Sequence, residues 1–340
     1  MAGHSEEALT ASEQYAGQLF QLATAYRLSA IFFAALELDL FAHMHPGSAT
    51  AAALATAVGA DETRLRQLLN TLVGMGLVTR DDDGQYLPLP ALKPLLCPGL
   101  YYHGDQFLRH KESANDWLRL ADIVRRREVG PAYYGRLLES ASVKPYLESV
   151  RETNWPHADA MMAHLRDIIP RLRNVLDIGG GHGYYSERLL QLNPALTITV
   201  VDVAGSIAYL RQRLHDHPQR DRFRLQVGDA RTLDLAETFD LVLLNNLLQY
   251  FSDEEKPEVV RRAARALSQA GTLAALKFRL DETGSRPPSS SLFSLMIMVN
   301  TYKGRQETDA EFVSYMQAAG LRDVQALPLN EERTLVLGVR

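Results

Sequence analysis

Residues 175–186 read VLDIGGGHGYYS and contain the most informative local pattern in the chain. An apolar run breaks into glycines and then resumes as SERLLQL (186–192), whose apolar residues recur at helical spacing. The pattern predicts a strand, a tight turn and the N-terminus of a helix. In many α/β proteins that unit binds an adenosine nucleotide, so the turn is the first place to expect a ligand.

More strands are predicted on the C-terminal side of the turn, and most of them alternate with helices. They are LTITVVD (196–202), RFRLQVG (222–228), FDLVLLN (239–245) and TLAALKF (272–278), and a pair around Asn330 consists of DVQALPL (323–329) and TLVLGVR (334–340). Apolar strands that alternate with helices predict a parallel sheet covered on both faces. The predicted fold class is therefore α/β, with a mostly parallel seven-stranded sheet whose last two strands form an antiparallel pair.

The N-terminal third of the chain has a different pattern. The segment AIFFAALELDLFAHM (30–44) is apolar around almost its whole circumference, which predicts burial in a core or against a partner subunit. A helix, a turn, a second helix and a hairpin around DDDG (81–84) then follow, which is a winged-helix pattern. The second helix carries only Arg64 and Arg66 as cations. We therefore expect a scaffold or dimerisation role and keep a DNA-binding regulator as the alternative.

Composition and charge are those of an ordinary globular protein. The chain of 340 residues is 46% hydrophobic and 23% charged, with a net charge of −5, which argues against a nucleic-acid partner. We find no apolar run near the roughly 18 residues of a membrane helix and no secretory signal, so we expect a cytoplasmic protein without a membrane partner. Cys97 is the single cysteine, and no closely spaced histidine pair predicts a metal site.

The glycines of the turn fit one class of adenosine ligand better than two others. A dinucleotide site has the spacing G-x-G-x-x-G, but the position of its third glycine is Tyr184, and no Gly-Lys-Ser/Thr of a P-loop follows. The sequence instead reads D-x-G-x-G-x-G from Asp177 through Gly179, Gly181 and Gly183. This is the first motif of S-adenosylmethionine-dependent methyltransferases, so we expect S-adenosyl-L-methionine as the cofactor.

Two further acidic residues follow predicted strands where that ligand needs carboxylates. Asp202 ends the second strand, 25 positions after Asp177, as expected of a carboxylate that accepts both ribose hydroxyls. Asp229 follows the third strand, where it can accept a hydrogen bond from the adenine amino group. Each acid alone is typical of a cap or a turn. Their order and their positions at strand ends together indicate a cofactor site.

These features together resemble the O-methyltransferases related to plant caffeate and animal acetylserotonin enzymes, a group that includes bacterial antibiotic-tailoring enzymes. The resemblance covers nearly the whole chain. It implies a winged-helix dimerisation domain in residues 1–100, a helical connector that lines the substrate pocket in 101–170, and a Rossmann-like methyltransferase domain in 171–340. It also implies a homodimer that methylates a small, aromatic metabolite. The implied pocket residues are Phe107, Trp155, Met161 and Gln306.

The sequence departs from this family at the catalytic dyad. The family's histidine base after the fourth strand is Gln249 here, within LQYF (248–251). The acid that orients this base in the family's G-K-E-R-T is Gln306, within GRQET (304–308), and the lysine four residues before the base is Asn245, which we assign to the cofactor site. A neutral amide cannot take up a proton at any working pH, so the usual mechanism is not available.

Two mechanisms therefore remain open. In the first, Gln249 and Gln306 donate hydrogen bonds that orient an acceptor which reacts without a base, such as an acidic phenol, an amine or an enolisable carbon. In the second, a base comes from elsewhere, with His110 ahead of His157 and His103 third. His182, inside the turn, is interpreted as structural. A non-methylating use of the cofactor, in decarboxylation, hydroxylation or ring formation, is the alternative function.

Overall fold

The structure is a computed structural model, and it describes residues 15–45, 47–98, 104–126 and 143–340. The described residues fall into two compact units, which divide between Glu112 and Ser113. The division into residues 1–100, 101–170 and 171–340 stays a prediction.

The first unit consists of short helices and one hairpin. Its helices are Tyr26–Glu37 (α1), Leu40–His43 (α2), Ala51–Val58 (α3), Glu62–Gly74 (α4) and Lys93–Leu96 (α5), with a 3₁₀ turn at Pro90–Leu92. The strands Val78–Arg80 (β1) and Tyr86–Pro88 (β2) pair antiparallel around the DDDG turn, as predicted. Asp61 begins α4 by accepting a hydrogen bond from the Arg64 amide, an N-cap that satisfies one of the free donors of the first turn.

The helical segment Tyr15–Glu37 corrects the expectation about long apolar segments. By length and composition it is long and apolar enough to cross a membrane, although little of it is buried within the chain. Polar uncharged residues interrupt its apolar run, so the segment was not predicted from the sequence. It is nevertheless apolar on average, because Arg27 and Glu37 are its only charged residues. One such helix is weak evidence for a membrane span. The fold gives its exposed side chains a second interpretation, because unburied apolar surface also marks a protein interface.

The second unit carries the predicted sheet. Helix Gly104–Leu118 (α6) spans the boundary between the units, and the strands that follow are Asn174–Ile178 (β3), Thr197–Asp202 (β4), Phe223–Val227 (β5), Phe239–Leu243 (β6), Leu267–Phe278 (β7), Arg322–Pro328 (β8) and Arg333–Val339 (β9). The helices are Leu120–Val124 (α7), Val143–Leu165 (α8), Tyr184–Leu192 (α9), Ala204–Arg213 (α10), Lys256–Arg265 (α11), Pro288–Thr301 (α12) and Asp309–Ala318 (α13). Short 3₁₀ turns lie at Ile169–Arg171, Arg220–Arg222 and Leu248–Tyr250.

The seven strands lie in the order β5-β4-β3-β6-β7-β9-β8. Strands β3 to β7 are mutually parallel, and β9 pairs antiparallel with both β7 and β8, as predicted for the C-terminal pair. The chain runs outward from β3 to β5 and then returns to place β6 on the other side of β3. Ligands bind at such a switch point, outside the carboxyl ends of the strands.

Both faces of the sheet are covered, as the apolar strands require. Along β3, Val175 belongs to one apolar core, whereas Leu176 and Ile178 belong to the core on the opposite face. Strand β7 begins five residues before the predicted TLAALKF because a bulge interrupts its pairing with β6, where Leu267 lies opposite Phe239 and Thr272 opposite Leu241. The polar residues and the glycine within this bulge resemble a turn in the sequence.

Candidate functional site

The turn that follows β3 lies at the switch point of the sheet. Gly183 begins α9 with φ 73°, a left-handed conformation that strains residues with a Cβ. A Cβ there would also lie 2.6 Å from Cδ2 of Leu210, so a side chain fits neither the backbone nor the space. Gly183 is therefore required for reasons that are independent of any ligand. Because its glycines lack side chains, the backbone of the turn is open to contact with a ligand.

Asp202 ends β4 directly beside this turn. Its Oδ2 accepts a hydrogen bond of 2.7 Å from the Gly181 amide, and its Oδ1 accepts one of 2.7 Å from the Val203 amide. Burial raises the pKa of this carboxyl above its usual value, although both backbone bonds favour the ionised form. The sequence placed Asp202 and the glycine turn in one site, and their hydrogen bond confirms that they are neighbours.

Asp177 lies beneath the turn. The side chain is buried, and its Oδ2 accepts a hydrogen bond of 2.6 Å from the Ser186 hydroxyl on α9. Burial, and to a smaller degree the nearby Asp202, raise its pKa to about 6, although the Ser186 hydrogen bond favours the ionised form. The observed contact is a brace between β3 and α9. Direct contact of Asp177 with the cofactor stays a prediction.

A cavity of about 380 Å³ extends from the turn along the carboxyl ends of β4 and β5. Gly179, Asp202 and Asp229 line it, as the sequence predicted for a common site. Asp229 is also paired with Arg231, whose Nη2 lies 2.6 Å from Oδ2, and this hydrogen bond lowers the pKa of the carboxyl. Phe251 lines the same cavity and offers an apolar surface to a planar ring.

A second, smaller cavity of about 90 Å³ lies on the other side of the turn, where Asn245 and Asn246 follow β6. The Asn245 Oδ1 accepts a hydrogen bond of 2.9 Å from the Leu276 amide, which orients the side chain. Within the described part of the chain, Asn245 Nδ2 and Asn246 Oδ1 are buried without hydrogen-bond partners. Buried polar atoms of this kind normally have partners, and here they lie in a cavity wall that a ligand can reach.

The two amides that replace the family's dyad are both buried. Gln249 is 2% exposed and Gln306 is 0% exposed. Gln306 Nε2 donates a hydrogen bond of 2.9 Å to Oε1 of Glu307, which leaves Gln306 Oε1 without a partner among the described residues. Gln249 Oε1 has no partner there either. The expectation that Gln306 donates to an acceptor is therefore revised, because its amide group has an acceptor oxygen to offer instead.

Glu307 is a buried acid that the sequence reading passed over. It lies one position after the amide that replaces the family's acid, and its Oε2 is 3.8 Å from Nζ of the buried Lys256. Burial raises the pKa of Glu307, while Lys277 and Lys256 favour its charged form. In the sequence, Glu307 is visible only as the acid next to Gln306 in GRQET. Its burial depends on the packing of α11 and β7 around it.

The candidate bases lie in different units. His157 is half-buried on α8, and burial together with the nearby Arg333 lowers its pKa, so the imidazole is neutral near pH 7. His110 is exposed on α6 and belongs to the first unit. His182 accepts a hydrogen bond from the Tyr184 amide at 3.1 Å, and burial lowers its pKa to about 3, which supports the structural interpretation. His103 lies outside the described residues.

Packing accounts for two of the predicted pocket residues. Met161 is fully buried in the core on the α8 side of the sheet. Phe107 contacts Phe32 edge to face at 5.3 Å, within the first unit. The side chain of Trp155 lies outside the described part of the chain. A substrate role for these three residues stays a prediction, and the sequence signal that selected them also fits core packing.

Two family models match this chain. The O-methyltransferase domain family matches residues 117–322, and the O-methyltransferase dimerisation domain matches residues 20–90. The chain belongs to the O-methyltransferase family. The family's methyl donor, S-adenosylmethionine, is therefore its cofactor, and the residues present fit this group: glycine backbone at the turn, an adjacent carboxylate and an open cavity at the ends of β4 and β5.

Individual relatives of this O-methyltransferase resemble it along nearly the whole chain. The tetracenomycin polyketide synthesis 8-O-methyl transferase TcmO of Streptomyces glaucescens is 24% identical over 95% of this chain and 96% of that protein. The 3-hydroxy-5-methyl-1-naphthoate 3-O-methyltransferase of Streptomyces sahachiroi is 25% identical over 91% and 90%. The solved structure of PigF with SAH has a TM-score of 0.86, with 24% identity over 95% of this chain and 99% of that one.

Proposed function

We propose that this enzyme methylates a hydroxyl group on a small aromatic metabolite of secondary metabolism. The relatives named above act on a polyketide and on a naphthoate, according to their names. The observation that carries the proposal is the joint position of Asp202 and the glycine turn at the switch point of the sheet, with two cavities that meet at the turn.

We assign the cofactor-binding residues from the hydrogen-bonding positions that their side chains leave unoccupied. Asp202 receives the ribose hydroxyls, because its two backbone hydrogen bonds leave acceptor positions on both oxygens. Asp229 and Phe251 hold the adenine at the far end of the larger cavity. Asn245 Nδ2, which has no partner among the described residues, donates to the methionine end at the turn. When bound, S-adenosylmethionine supplies the methyl group from its sulfonium centre.

His157 is our proposed general base, ahead of His110. Its pKa is lowered, so it is neutral and able to accept a proton near pH 7. It also lies in the same unit as the glycine turn, whereas His110 belongs to the other unit. The acceptor hydroxyl donates its proton to His157 as its oxygen bonds to the methyl carbon. Gln249 and Gln306 offer free carbonyl oxygens to other polar hydrogens of the acceptor and so orient its ring, because the single hydroxyl proton goes to His157.

The deciding experiment is single-turnover methyl transfer from pH 6 to 9, with a panel of phenols that includes 3-hydroxy-1-naphthoate. We expect His157→Ala to reduce the rate at least about 100-fold, the usual scale for the loss of a general base. Gln249→Ala should reduce it by about fivefold to tenfold, because an orienting hydrogen bond is worth about 1 kcal/mol. His110→Ala serves as the matched histidine control, and we expect it to remain near wild type.

The same reactions test the rival functions. Equal amounts of methylated product and S-adenosylhomocysteine support methyl transfer. Product without S-adenosylhomocysteine would favour a non-methylating reaction that uses the cofactor's charge. If both histidine variants match wild type and the pH profile is flat, the base hypothesis is wrong and positioning alone carries the reaction.

The enzyme is further proposed to be a homodimer that assembles through the first unit. The dimerisation-domain match covers residues 20–90. The helical segment Tyr15–Glu37 carries large exposed apolar side chains, among them Phe20 at 68% and Leu22 at 73% exposure. Such a surface is usually covered by a partner. The same match makes a DNA-binding role for the winged-helix pattern unnecessary.

A further inference from the structure

The second unit contains a buried cation that the reaction described above does not use. Arg333 begins β9 and is only 7% exposed. Within the described residues, its guanidinium makes one hydrogen bond, a long contact of 3.5 Å from Nη1 to the Glu332 carbonyl oxygen. It forms no ion pair there, and its Nε is buried without a partner. A buried charge without a counterion is costly, so this arrangement needs an explanation.

The side chain is held in one orientation by aromatic rings. Arg333 lies directly opposite Phe278 in the β7–β9 ladder, and its Cζ is 3.3 Å from the centroid of the Phe278 ring. Phe278 in turn stacks on Phe293 of α12, with ring centroids 3.7 Å apart and an interplanar angle of 18°. Guanidinium and two rings therefore form a layered stack. Stacking occupies the face of the guanidinium and leaves its N–H edge available.

This stack lies at the end of the sheet where the ligand site is. Phe278 is the last residue of β7, one of the parallel strands, so it lies at their carboxyl edge. Two residues earlier, Leu276 bonds to both Asn245 and Asn246, which line the smaller cavity at the turn. Arg333 is also close enough to His157 to lower the pKa of that residue.

The free edge of the guanidinium defines the chemistry of the group it can bind. Nη1 makes the single hydrogen bond to the backbone, so Nε and Nη2 remain as two parallel donors. That edge matches the two oxygens of a carboxylate in a bidentate pair, which a neutral hydroxyl or carbonyl cannot reproduce. Burial lowers the pKa of Arg333 to about 10, so the group stays charged at neutral pH.

We infer that Arg333 recognises a carboxylate on the aromatic acceptor, held by Nε and Nη2, while Phe278 and Phe293 form an aromatic wall beside the acceptor ring. The inference rests on the proposed function for the identity of the acceptor as an aromatic ring. It adds that the substrate is an acid. Arg333 acts here in binding and specificity and takes no part in the methyl transfer itself.

The test uses two probes of nearly the same shape, one anionic and one neutral: 3-hydroxy-1-naphthoate and 3-hydroxy-1-naphthamide. Calorimetry in the presence of S-adenosylhomocysteine gives the affinity of each probe for wild type, Arg333→Gln and Arg333→Lys. We expect wild type to bind the carboxylate at least tenfold more tightly than the amide. Arg333→Gln should remove this difference and leave the affinity for the amide within about twofold of the wild-type value. Arg333→Lys should keep only part of the preference, because lysine lacks the two parallel N–H donors of the guanidinium.

The controls separate this inference from the proposed function and from a purely structural role. Circular dichroism melts show whether the variants fold, and amide binding shows whether the aromatic wall survives. A wild-type enzyme that binds the carboxylate no more tightly than the amide, including one that binds neither, would overturn the inference. An equal loss of affinity for both probes in a folded Arg333→Lys variant would also overturn the inference. Failure of methyl transfer with intact carboxylate preference would instead count against the proposed function.

Discussion

Asp202→Ala is the substitution that tests the cofactor site most directly. In the structure this carboxylate accepts one backbone amide on each oxygen, from Gly181 and from Val203, both at 2.7 Å. A carboxylate offers about four acceptor positions in all. The Ser206 hydroxyl also donates to this carboxylate, and we expect a ribose hydroxyl to displace this neutral donor. Two positions are therefore open to the two ribose hydroxyls.

The magnitude follows from this count. A hydrogen bond to a charged group contributes about 1.5–3 kcal/mol. We use the low end because burial already raises the pKa of Asp202 and so reduces the net value of its charge. Two such bonds amount to about 3 kcal/mol, which corresponds to an affinity loss of about 100-fold for the cofactor.

Isothermal titration calorimetry with S-adenosylhomocysteine measures this loss, and the chain offers a matched control. Asp240 also accepts two backbone amides, from Arg173 at 2.7 Å and from Asn174 at 3.3 Å, but at the opposite edge of the sheet. Asp240→Ala should lower stability without changing affinity. If a folded Asp202→Ala enzyme binds S-adenosylhomocysteine within twofold of the wild-type affinity, Asp202 does not hold the ribose. An equal loss of affinity in the Asp240→Ala control would also refute the assignment.

Two further predictions concern stability and assembly. The pKa of Asp177 is raised to about 6, so its burial destabilises the fold above that pH and the penalty disappears as pH falls toward 4. Asp177→Asn should therefore gain up to about 3 kcal/mol in unfolding free energy, relative to wild type, between pH 4 and pH 7; a urea-unfolding difference that does not change with pH would contradict this. The double variant Phe20→Glu, Leu22→Glu should shift light scattering from a dimer to a monomer of 37.9 kDa, while Leu192→Glu, on the exposed part of α9, should stay dimeric; an unchanged dimer in the double variant would be the contrary result.

The substrate's charge matters for how the enzyme replaces the lost dyad. In the free enzyme the Arg333 guanidinium favours the neutral form of His157, and a carboxylate bound to Arg333 offsets part of that effect. The calorimetric and kinetic experiments are independent, so each part of this arrangement can fail separately.

Local patterns were sufficient to predict the strands, the glycine turn and the acids at strand ends. Strand periodicity, glycine spacing and a carboxylate at the end of an apolar run depend on neighbours in the sequence. Parallel strands also have their carboxyl ends at one edge of the sheet, so Asp202 and the turn were expected to meet without knowledge of the packing. Family resemblance added the dimerisation domain, which the match over residues 20–90 supports.

Which side chains are buried, and what they contact, depends on the packing of elements that are distant in the sequence. Arg333 has no distinguishing neighbour in the sequence, and its position depends on the β7–β9 register that brings it opposite Phe278, 55 positions earlier. Likewise, Glu307 is buried in the folded chain, where Lys256 of α11 and Lys277 of β7 favour its charged form. Sequence patterns report the local backbone and its periodicity. Burial and pairing between distant residues arise from the packing of whole elements. They set the pKa values, and so the protonation states, of the side chains at the site.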